Sequence, residues 1–304
     1  MLKVNIEKVG SLTGHKDCVY ALERAWEDHL FFSSGGDGQV ILWNATDSEK
    51  GRLIAKLSRS VYSLHYKPDS GLLYIGQNFE GIQVIDPRQK RAVKSVKITN
   101  AAIFDIQSDN KYLYVACGDG KLVMMDLDSL EVVKRLKLSE KSVRSISLHP
   151  EKMELAAGCS DESIQLVDLE SFAVRSIEKA HAISVFGVEY HPGKQSCLLS
   201  VSRDARIKAW DVSALDLQQE IPAHMFAIND LAFSPDHQLL ATCSMDKSVK
   251  IWDAHSLRLL KVVDKARFAG HGTSVNKLLW IPYQNFLVSA SDDRSLAIWK
   301  IDRE

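Results

Sequence analysis

Ala209-Trp210-Asp211 returns 42 residues later as Ile251-Trp252-Asp253, and that interval organises the whole chain. Weaker echoes set anchors at Trp43, Ile85, Met125, Val167, Trp210, Trp252 and Trp299, spaced 42, 40, 42, 43, 42 and 47 residues apart. A fixed period of this size marks a repeat architecture, in which one small unit is copied and the copies share a continuous core. Seven copies of a β unit are expected.

Each copy reads as four short strands. The first alternates apolar and polar residues and closes on proline, as in Val61 to Pro68, Val143 to Pro150, Val185 to Pro192, Ile228 to Pro235 and Val275 to Pro282. Period-two alternation is the mark of a strand, and proline, with no donor for a ladder, ends it in a turn. The second segment is small and apolar (Leu198 to Ser202, Leu240 to Ser244), suited to a strand crowded between sheets. A turn containing aspartate and a third strand ending at the anchor follow. The fourth is richer in charge, as in Val132 to Leu138, the usual protection of an exposed edge.

Four-stranded units repeated seven times predict a β-propeller with sheets packed face to face. Five residues follow Trp299, too few for a last outer strand, while residues 2–12 have no sheet of their own. The N-terminal segment is therefore expected to supply the outer strand of the seventh blade and close the ring. One domain spanning residues 1–304 follows.

Composition agrees with a globular chain: 45% hydrophobic, 25% charged, net charge −1. Such a balance supplies no global field for nucleic acid or anionic lipid. No apolar run approaches the roughly 18 residues of a membrane span, and Met1 to Lys8 lacks the apolar stretch of a secretory signal, so the reading is cytoplasmic. The five cysteines, at 18, 117, 159, 197 and 243, have no metal-like spacing and read as packing residues.

Gly14-His15 stands 29 and 28 residues before Trp43, and Gly270-His271 stands likewise before Trp299. Ala180-His181 and Ala223-His224 hold the same place before Trp210 and Trp252. With the Trp-Asp pairs and the turn aspartates, the chain resembles the WD-repeat (WD40) propeller family along essentially its whole length. The turn aspartate six residues before the anchor is present as Asp37, Asp119, Asp161, Asp204, Asp246 and Asp293; repeat two has Phe79. Repeats one and seven read Trp43-Asn44 and Trp299-Lys300, and repeats two to four lack both the tryptophan and the Gly-His pair. Blades two to four are therefore expected to be held mainly by apolar packing.

His181, Ser200, Asp204 and Trp210 contain the parts of a nucleophilic triad. The same set recurs as His224, Thr242, Asp246 and Trp252, and as His271, Ser289, Asp293 and Trp299. Catalytic residues have no reason to recur at blade spacing. The resemblance implies a structural chain instead, running from indole to hydroxyl to imidazole to carboxylate, which repeat one keeps as well. No nucleophile elbow, phosphate loop or zinc-protease motif is present, so no catalytic residue, metal or cofactor is expected.

For function the resemblance points to the face around the central channel, where the family grips peptides. The residue after the first apolar position of each first strand should reach the channel mouth: Tyr20, Tyr62, Phe104, Arg144, Phe186, Asn229 and Asn276. Four of these seven are aromatic in a chain with 8% aromatics. With Asp105 and Asp230 nearby, they are expected to hold a basic side chain by cation–π attraction, and Met225-Phe226 adds an apolar pair. The expected activity is a non-catalytic protein-interaction scaffold, a monomeric propeller within a larger complex. Two other readings stand beside it. Residues 88–152 hold 13 Lys/Arg against 8 Asp/Glu (among them Arg91, Lys94, Lys97, Lys134, Arg135 and Lys137), which could serve a nucleic-acid or ribonucleoprotein partner. A small-ligand or hydrolytic site in the channel is the other. The longer seventh interval, around Lys261 to Gly270, should be an extended connection.

Overall fold

A computed structural model describes residues 3–47 and 51–303. Its strands form seven four-stranded antiparallel sheets, the blades of a β-propeller. Sheet one comprises Val19–Arg24, Leu30–Gly35, Gln39–Asn44 and Arg52–Lys56. Sheet two comprises Val61–Lys67, Leu72–Gln77, Gly81–Asp86 and Arg91–Val96, and sheet three Ile103–Ser108, Tyr112–Cys117, Lys121–Asp126 and Val132–Lys137. Sheet four holds Val143–Leu148, Glu154–Cys159, Ile164–Asp168 and Val174–Ile177, and sheet five Val185–Tyr190, Cys197–Ser202, Arg206–Asp211 and Asp216–Pro222. Ile228–Phe233, Leu239–Ser244, Val249–Asp253 and Leu259–Val263 make sheet six.

Sheet seven is built from Val275–Ile281, Phe286–Ser291 and Ser295–Arg303, with Val4–Thr13 as its outer strand. The predicted ring-closing segment is therefore in place; Leu2, also assigned to it, lies outside the described residues. A bulge at Val9 interrupts this pairing between Lys8 and Gly10. One extra residue flips every later side chain to the other face. Val4 and Ile6 thus pack with Leu239, Ala241 and Ile251 of sheet six, whereas Leu12 packs with Val19, Phe31 and Trp43 of sheet one.

Backbone contacts group the chain into two compact units: Met1–Ile75 with Val84–Val93 and Asn229–Glu304, and Gly76–Gln83 with Lys94–Ile228. In both, burial falls from inner to outer strands. Leu239–Ser244 is buried throughout, whereas Arg91–Val96 and Asp216–Pro222 are almost wholly exposed. Crowding explains the small second-strand residues: a Cβ on Gly158 would lie 2.8 Å from Val185 and 3.1 Å from Val188 of the next sheet.

The aspartates explain themselves by the turns they build. In the turn between second and third strands, one carboxylate oxygen accepts the backbone N–H two residues on: Asp37 from Gln39, Asp204 from Arg206, Asp246 from Ser248 and Asp293 from Ser295. The residue between adopts positive φ, as at Gly38, Gly120, Ala205, Lys247 and Arg294. The aspartate of the Trp-Asp pair caps a different turn, toward the fourth strand. Asp211 accepts from Ser213 N and Ala214 N, and Asp253 from His255 N and Ser256 N. Asn44 does the same for Thr46 N. Lys300 departs from the pattern because its strand continues to Arg303 and the outer strand arrives from the N-terminus, leaving no turn to cap.

The long seventh interval is not an open connection. It holds a short helix, Lys265–Phe268, capped by Asp264, whose side chain accepts Arg267 N at 2.9 Å.

Candidate functional site: the lead-in loops and the first-strand bulges

The tryptophan-based sets meet as hydrogen-bonded chains. In sheet five, Trp210 Nε1 donates to Ser200 Oγ at 2.8 Å, Ser200 Oγ lies 2.8 Å from His181 Nε2, and His181 Nδ1 lies 2.9 Å from Asp204 Oδ2. In sheet seven the corresponding separations for Trp299, Ser289, His271 and Asp293 are 2.9, 2.9 and 3.0 Å. In sheet six, Trp252 Nε1 donates to Thr242 Oγ1 at 2.9 Å, with His224 buried and Asp246 in the turn. Sheet one builds a further chain from Trp43, Ser33, His15 and Asp37, at 2.7, 2.6 and 3.1 Å.

With Nδ1–H donating to the carboxylate, Nε2 accepts from the hydroxyl, and every group is used once. Ser33, Ser200, Thr242 and Ser289 have no accessible surface. A hydroxyl so enclosed cannot meet a substrate, so the triad-like composition has no nucleophile to offer.

Burial opposes ionisation of Asp37, but the N–H groups of Lys16 and Gln39 and the contact with His15 outweigh it and hold its pKa below the usual carboxylate range. Asp204 and Asp293 are held low in the same way, by His181 and His271 respectively. Burial pushes the His15 pKa down, against the pull of Asp37.

Sheets three and four share an apolar core that includes Tyr114, Leu122, Ile146 and Leu155, and each adds a polar tie that was not expected. Thr99 Oγ1 donates to Asp119 Oδ2 at 3.2 Å and Ser139 Oγ to Asp161 Oδ2 at 2.5 Å. A hydroxyl in the loop leading into the first strand thus takes the place of the histidine. Sequence reading missed it because Thr99 and Ser139 resemble ordinary loop residues.

The positions predicted for the channel mouth share a backbone cause. In five sheets the ladder between first and second strands skips that residue: Tyr20, Phe104, Arg144, Phe186 and Asn276 are bulge residues. A bulge leaves its residue unpaired and re-aims its side chain. All seven predicted residues are half-buried.

Within the unit of residues 1–75, 84–93 and 229–304, these side chains bind neighbouring strands. Tyr20 and Tyr62 meet edge to face at 5.0 Å. Asn229 Nδ2 donates to Ser274 Oγ and Val275 O, and Asn276 Nδ2 to Val19 O and Asp292 Oδ1. Within the unit of residues 76–83 and 94–228, the Arg144 guanidinium lies between two rings, 4.1 Å from the centre of Phe104 and 4.8 Å from that of Phe186. The cation expected from a partner is already supplied by the chain itself.

Asp105 and Asp230 also differ from the expected cation-binding role. Asp105 accepts Ile106 N and Ile146 N at 2.9 Å each. Asp230, buried, accepts Leu278 N and Lys277 Nζ at 2.9 Å each. Both tie one first strand to the next.

Several cations at 88–152 are engaged within the protein. Lys94 Nζ donates to Ser129 O, Lys134 lies 4.9 Å over the Phe172 ring, and Lys137 pairs with Glu140 at 3.3 Å. Arg91, Lys97 and Arg135 are exposed. Among the described residues, no three His, Cys, Asp or Glu side chains are placed to hold a metal ion. No helix among them is long and apolar enough to cross a membrane.

The family model for the WD domain, G-beta repeat, matches residues 6–44, 215–253 and 263–300. Each match begins on, just before or at the end of an outer strand and runs into the third strand of the following sheet. The sequence repeat is thus offset by one strand from the structural sheet, and for that reason Val4–Thr13 completes the last sheet rather than the first. Nuclear distribution protein nudF of Aspergillus flavus is 34% identical over 112 residues, covering 35% of this chain and 23% of that protein. Nuclear distribution protein nudF 1 of Talaromyces marneffei is 36% identical over 114 residues, 36% and 23% of the two chains. Nuclear distribution protein PAC1 of Arthroderma otae is 36% identical over 118 residues, 35% and 24%. The chain thus spans about a quarter of the length of the curated relatives it matches.

Proposed function

We propose that this chain, which matches the WD domain, G-beta repeat model over three stretches and folds into seven four-stranded sheets, is a non-catalytic platform of the WD40-repeat kind binding a peptide or protein partner. The binding face is the one that carries the lead-in loops, the aspartate turns and the first-strand bulges. One observation carries this reading: the lead-in loop that follows His224 exposes two adjacent large apolar side chains. Met225 is 81% and Phe226 60% exposed. Exposed apolar groups clustered with aromatic and arginine side chains are what partner-binding surfaces offer. The enclosed hydroxyls of the histidine chains support the non-catalytic part.

The similarity to nuclear distribution proteins covers about a third of this chain and a quarter of theirs. It supports a propeller platform and carries nothing about their biological task. The basic edge at 88–152 ranks behind the loop face, since several of its cations are engaged internally. Affinity capture with the wild-type chain beside the Phe104→Ala/Phe186→Ala variant tests the proposal. Partner recovery should drop at least about tenfold, the loss typical of interface anchors, while circular dichroism stays unchanged. Undiminished recovery refutes the proposed face.

A further inference from the structure

We infer that the outer strand of sheet six, Leu259–Val263, takes up an extended acidic segment of a partner protein as a fifth strand. This edge uses none of the residues assigned to the loop face.

The strand is unusually undefended. An outer strand offers alternate N–H and C=O groups to any chain able to pair with them, and charge or proline is the usual protection. Val132–Lys137 carries three cations in six residues, and Asp216–Pro222 carries two carboxylates and ends on proline. Leu259–Val263 reads Leu-Leu-Lys-Val-Val, four aliphatic residues around one lysine. Leu259 is 42% exposed, and Leu260 and Val262 are half-buried. Among the described residues the strand is laddered on one side only, to Val249–Asp253.

A cavity of about 440 Å³ borders it, lined by Leu259, Leu260, Lys261, Val262, Arg267 and Phe268. A cavity over one face of a strand would meet alternate residues. Here Lys261 and Val262, successive residues in regular pairing with Ile251 and Lys250, both line it, so the cavity follows the unpaired edge. Its far wall is the short helix Lys265–Phe268 of the long seventh interval. That wall is held in place: Arg267 Nε and one terminal nitrogen donate to Asp264 Oδ2 at 3.0 and 2.7 Å, and Lys8 Nζ donates to Ala269 O at 2.6 Å. Leu260 and Phe268 rest on the core that includes Ile6 and Ile251. The groove is thus preformed, which limits the ordering cost of binding.

Charge selects the occupant. Residues 258–270 hold Arg258, Lys261, Lys265 and Arg267 against one carboxylate, Asp264, which is committed to Arg267. Lys261 is the middle residue of the strand. In-register antiparallel pairing with a second copy would set Lys261 opposite Lys261, and like charges directly opposite are destabilising. An aspartate or glutamate of a different chain at that place is favourable. Main-chain pairing then supplies affinity and the alternating side chains supply specificity.

The test uses the full chain and three short peptides at millimolar concentration: Thr-Val-Glu-Val-Thr, the same with lysine for glutamate, and the glutamate peptide with its backbone nitrogens methylated. Hydrogen–deuterium exchange over residues 257–269 reads occupancy of the edge. The glutamate peptide should slow exchange there, and the methylated one should not. Lys261→Glu should weaken the glutamate peptide at least about tenfold and take up the lysine peptide instead, a rescue that also shows the variant folded. Equal protection by the methylated peptide overturns strand addition. Protection of the wild type by the lysine peptide as strong as by the glutamate peptide overturns the acidic assignment. Protection that grows with the concentration of the chain alone gives the edge to a second copy and overturns the partner. No protection by any peptide overturns the inference and leaves the loop-face platform standing.

Discussion

Replacing Ser200 by alanine removes one oxygen from the interior of sheet five and almost no volume, so little cavity is created. Two groups lose their partner: the indole N–H of Trp210 at 2.8 Å and Nε2 of His181 at 2.8 Å. Ser200 has no accessible surface and the two partners are nearly as enclosed, so water cannot replace the lost bonds. Each stranded group costs about 1–3 kcal/mol, which puts Ser200→Ala at roughly 2–5 kcal/mol. Urea unfolding followed by far-ultraviolet circular dichroism at neutral pH measures it as a shift in midpoint at unchanged slope.

A double-mutant cycle with Trp210→Phe separates stranding from other effects. Once the indole N–H is gone, the serine deletion should cost about 1 kcal/mol less than in the wild type. Ser33→Ala and Ser289→Ala delete the same link in sheets one and seven and should cost similar amounts. A loss under about 0.5 kcal/mol for all three, within the range of an ordinary surface change, or strict additivity in the cycle, would refute the reasoning.

Two further predictions concern the scaffold. Burial, reinforced by Lys67, lowers the pKa of His65 to about 4, below its unfolded value of about 6.5. The unfolded state therefore binds the proton more readily. Stability should be full above about pH 6.5 and decline by at most about 3 kcal/mol as the pH falls to about 4. Below that, the lowered carboxyl pKa values of Asp37, Asp204 and Asp293 extend the loss. Thermal melts across pH 3–7 check this; an unchanged slope between pH 6.5 and 4 in His65→Leu would contradict the assignment. Leu12→Ala hollows the packing of the N-terminal strand against Val19, Phe31 and Trp43 and should cost about 2–5 kcal/mol. Wild-type stability in that variant would mean the strand does not latch the last sheet.

The repeat period and the strand pattern were legible because they are local. Alternation in Val143–Leu148 and the small residues of Cys197–Ser202 record which faces are covered, and period-two burial leaves its mark in any one copy. The need for an outer strand in the last sheet followed from counting residues after Trp299. The histidine chains were legible in sheets that keep His, Ser or Thr, Asp and Trp in register. They were illegible in sheets three and four, where Thr99 and Ser139 perform the tie with no distinctive residue. The helix Lys265–Phe268 was hidden because four residues are too few to carry a periodic signal.

What the amino-acid sequence by itself determined is the scaffold: seven β units, their order, and the residues that cap their turns. Those features depend on neighbours a few residues apart or on copies at a fixed interval. Only the tertiary structure decided what the variable positions do. The bulge that turns Phe104, Arg144 and Phe186 out of the ladder is a property of strand pairing. The stack of Arg144 between rings about 40 residues away on either side exists only once three sheets stand side by side. A list of aromatic positions read as an empty receptacle for a cation; packing set the chain's own arginine against two of those rings.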